Sequence, residues 1–167
     1  LEVSGDYYDF FPSMNRLITF AIADVAGKGV PASLLMATFR ALLRTVAPFT
    51  ATARQIAIRA NQILLDTVRP GDFVTAFIGV LDPDTGEVSY CNAGHNPPVL
   101  MSPDGSYRLL EVGGGMCGHH DPGLVDAGRA LVPLSVVPDG SEESHRLGVD
   151  LDGPTAVISD EQAAVDR

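Results

Sequence analysis

The stretch Leu17-Ile-Thr-Phe-Ala-Ile-Ala-Asp-Val-Ala-Gly-Lys-Gly-Val-Pro-Ala32 decides the fold. Leu17 to Ala23 is short, apolar and in places β-branched, so it reads as a buried strand. Asp24 falls where that strand stops. Gly27 and Gly29 permit a sharp turn, and Val30-Pro31 opens a helix with proline in its first turn. A carboxylate at the rigid end of a strand, beside exposed loop backbone, suits a hard divalent cation, which takes oxygen ligands. Upstream, Ser4-Gly5-Asp6-Tyr7-Tyr8-Asp9 places further carboxylates on a neighbouring strand. Two such clusters side by side would let two ions share a bridging Asp, which suits metal-assisted attack of water on a phosphoryl group.

Working outward, Glu2 to Phe11 reads as a strand carrying Asp6 and Asp9, and Pro12 to Asn15 as a hairpin turn. Val30 to Val46 reads as a helix, with Leu34, Leu35, Phe39, Leu42, Leu43 and Val46 on its core face. Pro48 ends it. A second helix is expected from Thr52 to Val68, opened by a Thr52/Gln55 capping box and striped by Ile56, Ala60, Ile63 and Leu64. Phe73 to Leu81 and Glu87 to Ala93 form a hairpin around Asp82-Pro83-Asp84-Thr85-Gly86. Val99 to Ser102 and Tyr107 to Val112 form another. From Gly113 onward the text is loop-like, with short strands expected at Leu131 to Val137, His145 to Val149 and Thr155 to Ser159. Strand runs separated from a helical run argue an α+β class rather than alternating α/β.

The chain has 167 residues, a length that suits one domain spanning 1–167. Its net charge of −10 argues against nucleic-acid binding, which needs basic patches. The same charge allows a cation site and basic partner surfaces. Cys91 and Cys117 make no secretory disulfide framework. No run reads as a signal peptide or is long enough to cross a bilayer, so no membrane contact is expected and a reducing cytoplasm is the simplest compartment.

Four motifs stand in one order: Gly5-Asp6-Tyr7-Tyr8-Asp9; Asp24-Val25-Ala26-Gly27-Lys28-Gly29-Val30-Pro31-Ala32; Phe73-Val74-Thr75-Ala76-Phe77 to Val80-Leu81-Asp82; and Asn92-Ala93-Gly94-His95-Asn96-Pro97-Pro98. Together they resemble the PPM-type metal-dependent Ser/Thr protein phosphatases, in the SpoIIE/RsbU-like branch. The resemblance is clear over about residues 4–112 and weaker over 113–167. It implies an α-β-β-α sandwich of two antiparallel sheets flanked by helices, with the metal site at one end. It also implies a strand and helix ahead of Leu1 and a last acidic motif after Arg167. The chain is therefore expected to be a piece of a longer protein with sensory domains in front.

The resemblance implies that two Mn²⁺ or Mg²⁺ ions are held by Asp6, Asp24 and Asp160, with the backbone carbonyl of Val25 joining Asp24. Asp6 and Asp24 are then the residues at the chemistry. Ser159-Asp160 is followed by Glu161, where the family pattern has Gly. The implied reaction is hydrolysis of phosphoserine or phosphothreonine on a bacterial regulatory protein, such as an anti-sigma-factor antagonist, by metal-activated water. A catalytically degenerate domain that binds partners is the alternative, and a homodimer is also open. Asp9 is balanced between a ligand and a turn-stabilising carboxylate. Lys28 reads as a solvated loop lysine. His95 reads as a structural residue of a tight turn rather than a general acid. Cys117, His119, His120 and Asp121 carry zinc-type ligand chemistry, but their compact spacing reads better as a mobile loop beside the site.

Overall fold

The computed structural model describes residues 5–102 and 104–118, and the backbone of Ala127–Leu131, Leu147–Val149 and Ala156–Ser159. Strand β1 (Tyr7–Pro12) turns through a 3-10 segment into β2 (Ile18–Val25). Two helices follow, α1 (Val30–Val46) and α2 (Ala53–Leu65). Then come β3 (Val74–Leu81), β4 (Glu87–Ala93), β5 (Val99–Met101), β6 (Tyr107–Leu109), β7 (Gly113–Gly114), β8 (Ala127–Leu131), β9 (Leu147–Val149) and β10 (Ala156–Ser159). The first sheet runs β1-β2-β3-β4, with β7 and β8 both pairing with β4, and the second runs β6-β5-β10-β9. Every pairing is antiparallel except the two-residue contact of β7 with β4.

Period-2 alternation sorts β1 to β4 into two faces. Phe11, Ala21, Ala23, Val25, Val74, Ala76, Ile78 and Cys91 face the helices. There they pack against Met36, Phe39 and Leu43 of α1 and Ile56, Ala60 and Leu64 of α2. Phe20, Phe77, Leu81, Val88 and Tyr90 occupy the opposite face and pack with Leu100 and Leu110 of the second sheet region. The layers are helices, sheet and second sheet, each closed by its own apolar cluster.

Gly79 is fixed by that second cluster. A Cβ there would collide with the Phe20 ring, which lies 6.2 Å from the ring of Phe77. The glycine is the hollow into which the ring fits. On the helical side, Thr19 is fully buried, and its hydroxyl finds no hydrogen-bond partner among the described residues.

α1 spans the predicted residues but rotates relative to the expected stripe. Its buried line is Ala32, Met36, Phe39, Leu43 and Val46, at alternating steps of four and three. Leu34 points away from the sheet and is 64% exposed. Ile63 of α2 is likewise exposed, because Ile56, Ala60 and Leu64 already define the buried side. α2 stops at Leu65, short of Val68, where the Thr67 and Val68 amides both turn back to the Leu64 carbonyl. Its start is as expected: Thr52 caps the helix, accepting from the Gln55 amide at 3.3 Å. The helical stretch Val30–Phe49 is apolar and long enough by composition to cross a bilayer, contrary to expectation. Its buried line, Ala32, Met36, Phe39, Leu43 and Val46, packs on the sheet, while Val30, Leu34 and Phe49 are exposed.

Asp9 settles as a structural anchor. It faces the helical side of β1 and receives both Arg44 Nε and Arg44 Nη2, each at 2.7 Å. Tyr7 donates its hydroxyl to the same carboxylate at 3.0 Å, and Arg40 stands 3.6 Å away. Arg44 also lies over the Phe11 ring, 4.8 Å from its centroid. Partial burial pushes the Asp9 carboxyl up. The hydrogen bonds from Arg44 and Tyr7 and the two guanidinium charges outweigh that and hold it below the usual carboxylate range. Tyr7 is pushed well above an ordinary phenol by its burial, with Asp9 adding to the effect.

The segment after Val112 departs most from its reading as loop. Gly113 and Gly114 pair with Asn92 and Ala93. Cys117 exchanges both backbone hydrogen bonds with Val74 at 2.9 Å, and the Gly118 amide donates to Asn61 of α2 at 2.7 Å. Cys117 is fully buried. This strap is held because backbone groups entering a core must be paired. Of the strand expected at Leu131 to Val137, Leu131 belongs to β8 (Ala127–Leu131), and residues 132–137 lie outside the described residues. β9 and β10 fall within the last two expected strands, and residues 145, 146 and 155 lie outside the described residues.

Three outcomes follow for stability. Gly79→Ala should lower it by about 1–3 kcal/mol, because the Phe20 ring has no room to yield; urea unfolding measures this. Thr19→Val should raise it by about 1 kcal/mol, since the buried hydroxyl is desolvated without return. For Asp9 the folded carboxyl is depressed, so its contribution is complete above the unfolded value, about 4. It is lost as pH falls through the folded value. Asp9→Asn should cost about 1 kcal/mol at pH 7, after allowing for screening at exposed Arg44. The deficit should shrink in melts taken below pH 4.

Candidate metal centre

The site forms where β1 and β2 reach the end of the first sheet. The register pairs Tyr7 with Ala23, so one step further it sets Asp6 opposite Asp24. On the other side of β2, Asp24 pairs directly with Thr75 of β3. Asp24 thus sits inside the ladder rather than after it, since β2 continues to Val25. By alternation it belongs to the inter-sheet face, at the rim beyond Phe20 and Ile22. Asp6 precedes β1, which begins at Tyr7 rather than Glu2; Glu2 to Ser4 lie outside the described residues.

Asp6 and Asp24 are side chains within hydrogen-bonding reach of each other. The Asp24 carboxyl is raised above its usual range, first by partial burial and next by the Asp6 charge. A hydrogen bond from the Val25 amide and the nearby His95 work in the opposite sense. Like charges this close need a proton or a cation between them. Gly5 supplies the space. A Cβ at that position would stand 3.1 Å from the Val25 carbonyl oxygen and 3.3 Å from Asp24 Oδ1. Glycine at this position thus lets the chain pass close to the Val25 carbonyl and the Asp24 carboxylate, beside which Asp6 lies. All-oxygen donors of this kind fit Mg²⁺ or Mn²⁺ rather than a thiolate-seeking metal.

Of the residues picked out from sequence, the structure brings Asp6, Asp24 and Val25 together. Asp160 lies outside the described residues. Asp9 belongs to the α1 anchor on the other face of the sheet. Lys28 is exposed on the turn between Gly27 and Gly29, both at positive φ. Among the described residues, no three His, Cys, Asp or Glu side chains form one cluster. The Cys117 thiol is fully buried, and that burial pushes it up to about 12. His119, His120 and Asp121 lie outside the described residues. Neither Cys117 nor Cys91 is in a disulfide.

Sequence reading passed over Gly5, Thr75 and Asn92. Gly5 stood in a quoted motif, but its role needs the position of Val25, and nothing local reports that. Thr75 Oγ1 lies 3.4 Å from the Asp24 carbonyl oxygen and 3.1 Å from His95 Nδ1. Asn92 Oδ1 accepts from the His95 amide at 2.8 Å. The tight-turn reading of His95 agrees with that last bond.

Two sheets with the helix pair packed on the first, and an acidic end between the strands, define the PPM-type (PP2C) phosphatase fold. The family model of Stage II sporulation protein E (SpoIIE) matches residues 15–135, and the chain belongs to that family. It is 32% identical over 114 residues to the phosphoserine phosphatase RsbU of Bacillus subtilis, a match covering 68% of this chain and 34% of RsbU. The crystal structure of the RsbU and RsbW domains of Rv1364c from Mycobacterium tuberculosis is similar at a TM-score of 0.71 and 27% identity. That match covers 80% of this chain and 37% of that one. The PP2C phosphatase domain of SpoIIE from Bacillus subtilis, solved with a fragment of its regulatory domain, gives a TM-score of 0.68 at 20% identity, over 79% and 39% of the two chains. The chain spans well under half of each of these relatives.

The close approach at Gly5 can be tested on its own. Gly5→Ala should weaken Mn²⁺ binding by about 10-fold, the lower end of what displacing a ligand's support costs. Calorimetric titration reads the affinity, and circular dichroism should report unchanged secondary structure.

Proposed function

We propose that this chain is the catalytic region of a metal-dependent phosphoprotein phosphatase. The observation that carries the reading is the pairing of Asp6 with Asp24 beside the Val25 carbonyl. Membership of the SpoIIE family and identity to a phosphoserine phosphatase support it. Asp6, Asp24 and the Val25 carbonyl hold divalent cations, with Asp160 as the third carboxylate. Two ions, Mn²⁺ or Mg²⁺, match the family pattern. When bound, such cations supply a water activated near neutral pH and stabilise charge on phosphoryl oxygens.

The chain's own residues set the conditions for that chemistry. Asp6 and Asp24 leave the empty site negative, so it repels a phosphoryl group until cations neutralise it. Asp24 is held in the β2 ladder opposite Thr75 of β3, so its backbone stays in place as charge develops. Asp24 and Asp6 would both hold the cations, and Asp6 would also accept a hydrogen bond from water at the site. The substrate is phosphoserine or phosphothreonine on a bacterial regulatory protein of the anti-sigma-factor-antagonist type. The reaction takes place in the cytoplasm, consistent with two cysteines outside any disulfide.

The test is hydrolysis of an aryl phosphate and a phosphoserine peptide with Mn²⁺, Mg²⁺ or chelator. Turnover should require the cation and vanish with chelator. Asp24→Ala should reduce it by more than about 100-fold, exceeding the loss expected for a merely supporting residue. Folded protein that binds no cation and turns over neither substrate, with the full-length parent equally inert, would replace this reading with a partner-binding domain.

A further inference from the structure

Beyond the ligands, the end of the first sheet carries an ordered row of side chains. Register pairs Asp24 of β2 with Thr75 of β3, and Asp6 stands one step beyond the Tyr7–Ala23 pair that begins β1. Thr75 Oγ1 reaches back to the Asp24 carbonyl oxygen at 3.4 Å and forward to His95 Nδ1 at 3.1 Å. His95 is not left to find that position by chance. Gly94 before it has φ of 72°, a left-handed conformation that favours glycine. A Cβ on Gly94 would also meet Met116 at 3.3 Å. Buried Asn92 receives the His95 amide at 2.8 Å, and the strap at Gly113 packs so closely on Asn92 that a Cβ there would stand 2.6 Å from the Asn92 carbonyl oxygen. The turn that ends β4 is thus built to aim one imidazole at one hydroxyl.

We propose that His95 and Thr75 are positioning residues for the cation site, holding the Asp24–Val25 backbone through a His95–Thr75–Asp24 hydrogen-bond relay. This rests on the reading of Asp24 and Val25 as ligands. A carbonyl only accepts, so a hydroxyl serving both neighbours donates to Asp24 and receives from the imidazole Nδ1–H. The relay thereby selects the His95 tautomer as well as the Thr75 rotamer. Its mechanical effect falls on the peptide that joins the two ligand residues, since the Asp24 carbonyl belongs to the bond leading into Val25. Groups that orient ligands in this way govern metal affinity nearly as strongly as the ligands do.

The experiment measures Mn²⁺ affinity by calorimetry on the full chain, with apo-protein melting curves in parallel. Wild type is compared with His95→Ala, Thr75→Val, Thr75→Ser, the Thr75→Val/His95→Ala double variant and Asp24→Asn. His95→Ala and Thr75→Val should each raise the Mn²⁺ dissociation constant by about 10- to 100-fold. The double variant should be no worse than the weaker-binding single, because both break one relay. Thr75→Ser keeps the hydroxyl and should bind within about threefold of wild type, a rescue that a packing role for the Thr75 methyl would not give. Wild-type affinity in His95→Ala and Thr75→Val, with Asp24→Asn impaired, overturns the relay and leaves the metal site standing. Multiplying losses in the double variant overturn it equally, as does a Thr75→Ser variant that binds no better than Thr75→Val. Wild-type affinity in Asp24→Asn itself overturns the metal site, and the relay with it.

Discussion

Two carboxylates are held within hydrogen-bonding reach at the end of β1 and β2, against the repulsion that ionised Asp6 and Asp24 exert on each other. The backbone enforces this. β2 pairs with β1 through Ala23 and with β3 through Val25, so Asp24 is fixed in the ladder opposite Thr75. Gly5 lets the chain pass close enough to Val25 for Asp6 to arrive opposite. The Asp24 carboxyl is raised first by its partial burial and next by the Asp6 charge.

The helical layer depends on the same two strands. β1 alternates, sending Asp6, Tyr8 and Phe10 to one face and Tyr7, Asp9 and Phe11 to the other. Asp9 therefore meets Arg44 and Arg40 of α1, while Asp6, three residues earlier, meets Asp24. One strand carries the acid of the site on one face and the acid that fastens the helix on the other. α1 is joined to the site a second time through the Gly27–Gly29 turn that follows Val25. Displacement of α1 would act on both ends of this arrangement. The far edge of the sheet is tied in differently, by the 113–118 strap, whose backbone bonds to β4, β3 and α2 hold the turn bearing His95.

Much of this was written in local pattern. The apolar run ahead of Asp24, the glycine-flanked turn, proline at the start of α1 and the Thr52 cap are all short-range signals, and each element appeared where they pointed. The helix faces were less legible. In α1, apolar residues surround more than one side, so Leu34 looked as eligible as Met36, and only contact with the sheet chose between them. The 113–118 segment misled because glycine density normally marks free loop. Here glycine is needed for close approach, at Gly113 against Asn92, and the strap buries a cysteine that resembled a zinc ligand by type alone.

The sequence by itself determined the class of the fold, the order of its motifs and the nomination of Asp6 and Asp24 as candidate acids. Those depend on periodicity, turn chemistry and residue type, which neighbours along the chain express. The tertiary structure alone decided which acid does what. Asp6 and Asp9 differ by three positions in one strand, so they fall on opposite faces, and lateral register then gives one to Asp24 and the other to Arg44. The same register set Thr75 beside Asp24, and the β4 turn brought His95 to Thr75. Pairing between strands distant in sequence is a collective outcome of burying two apolar faces at once. No residue's neighbours along the chain encode which residue will lie across from it.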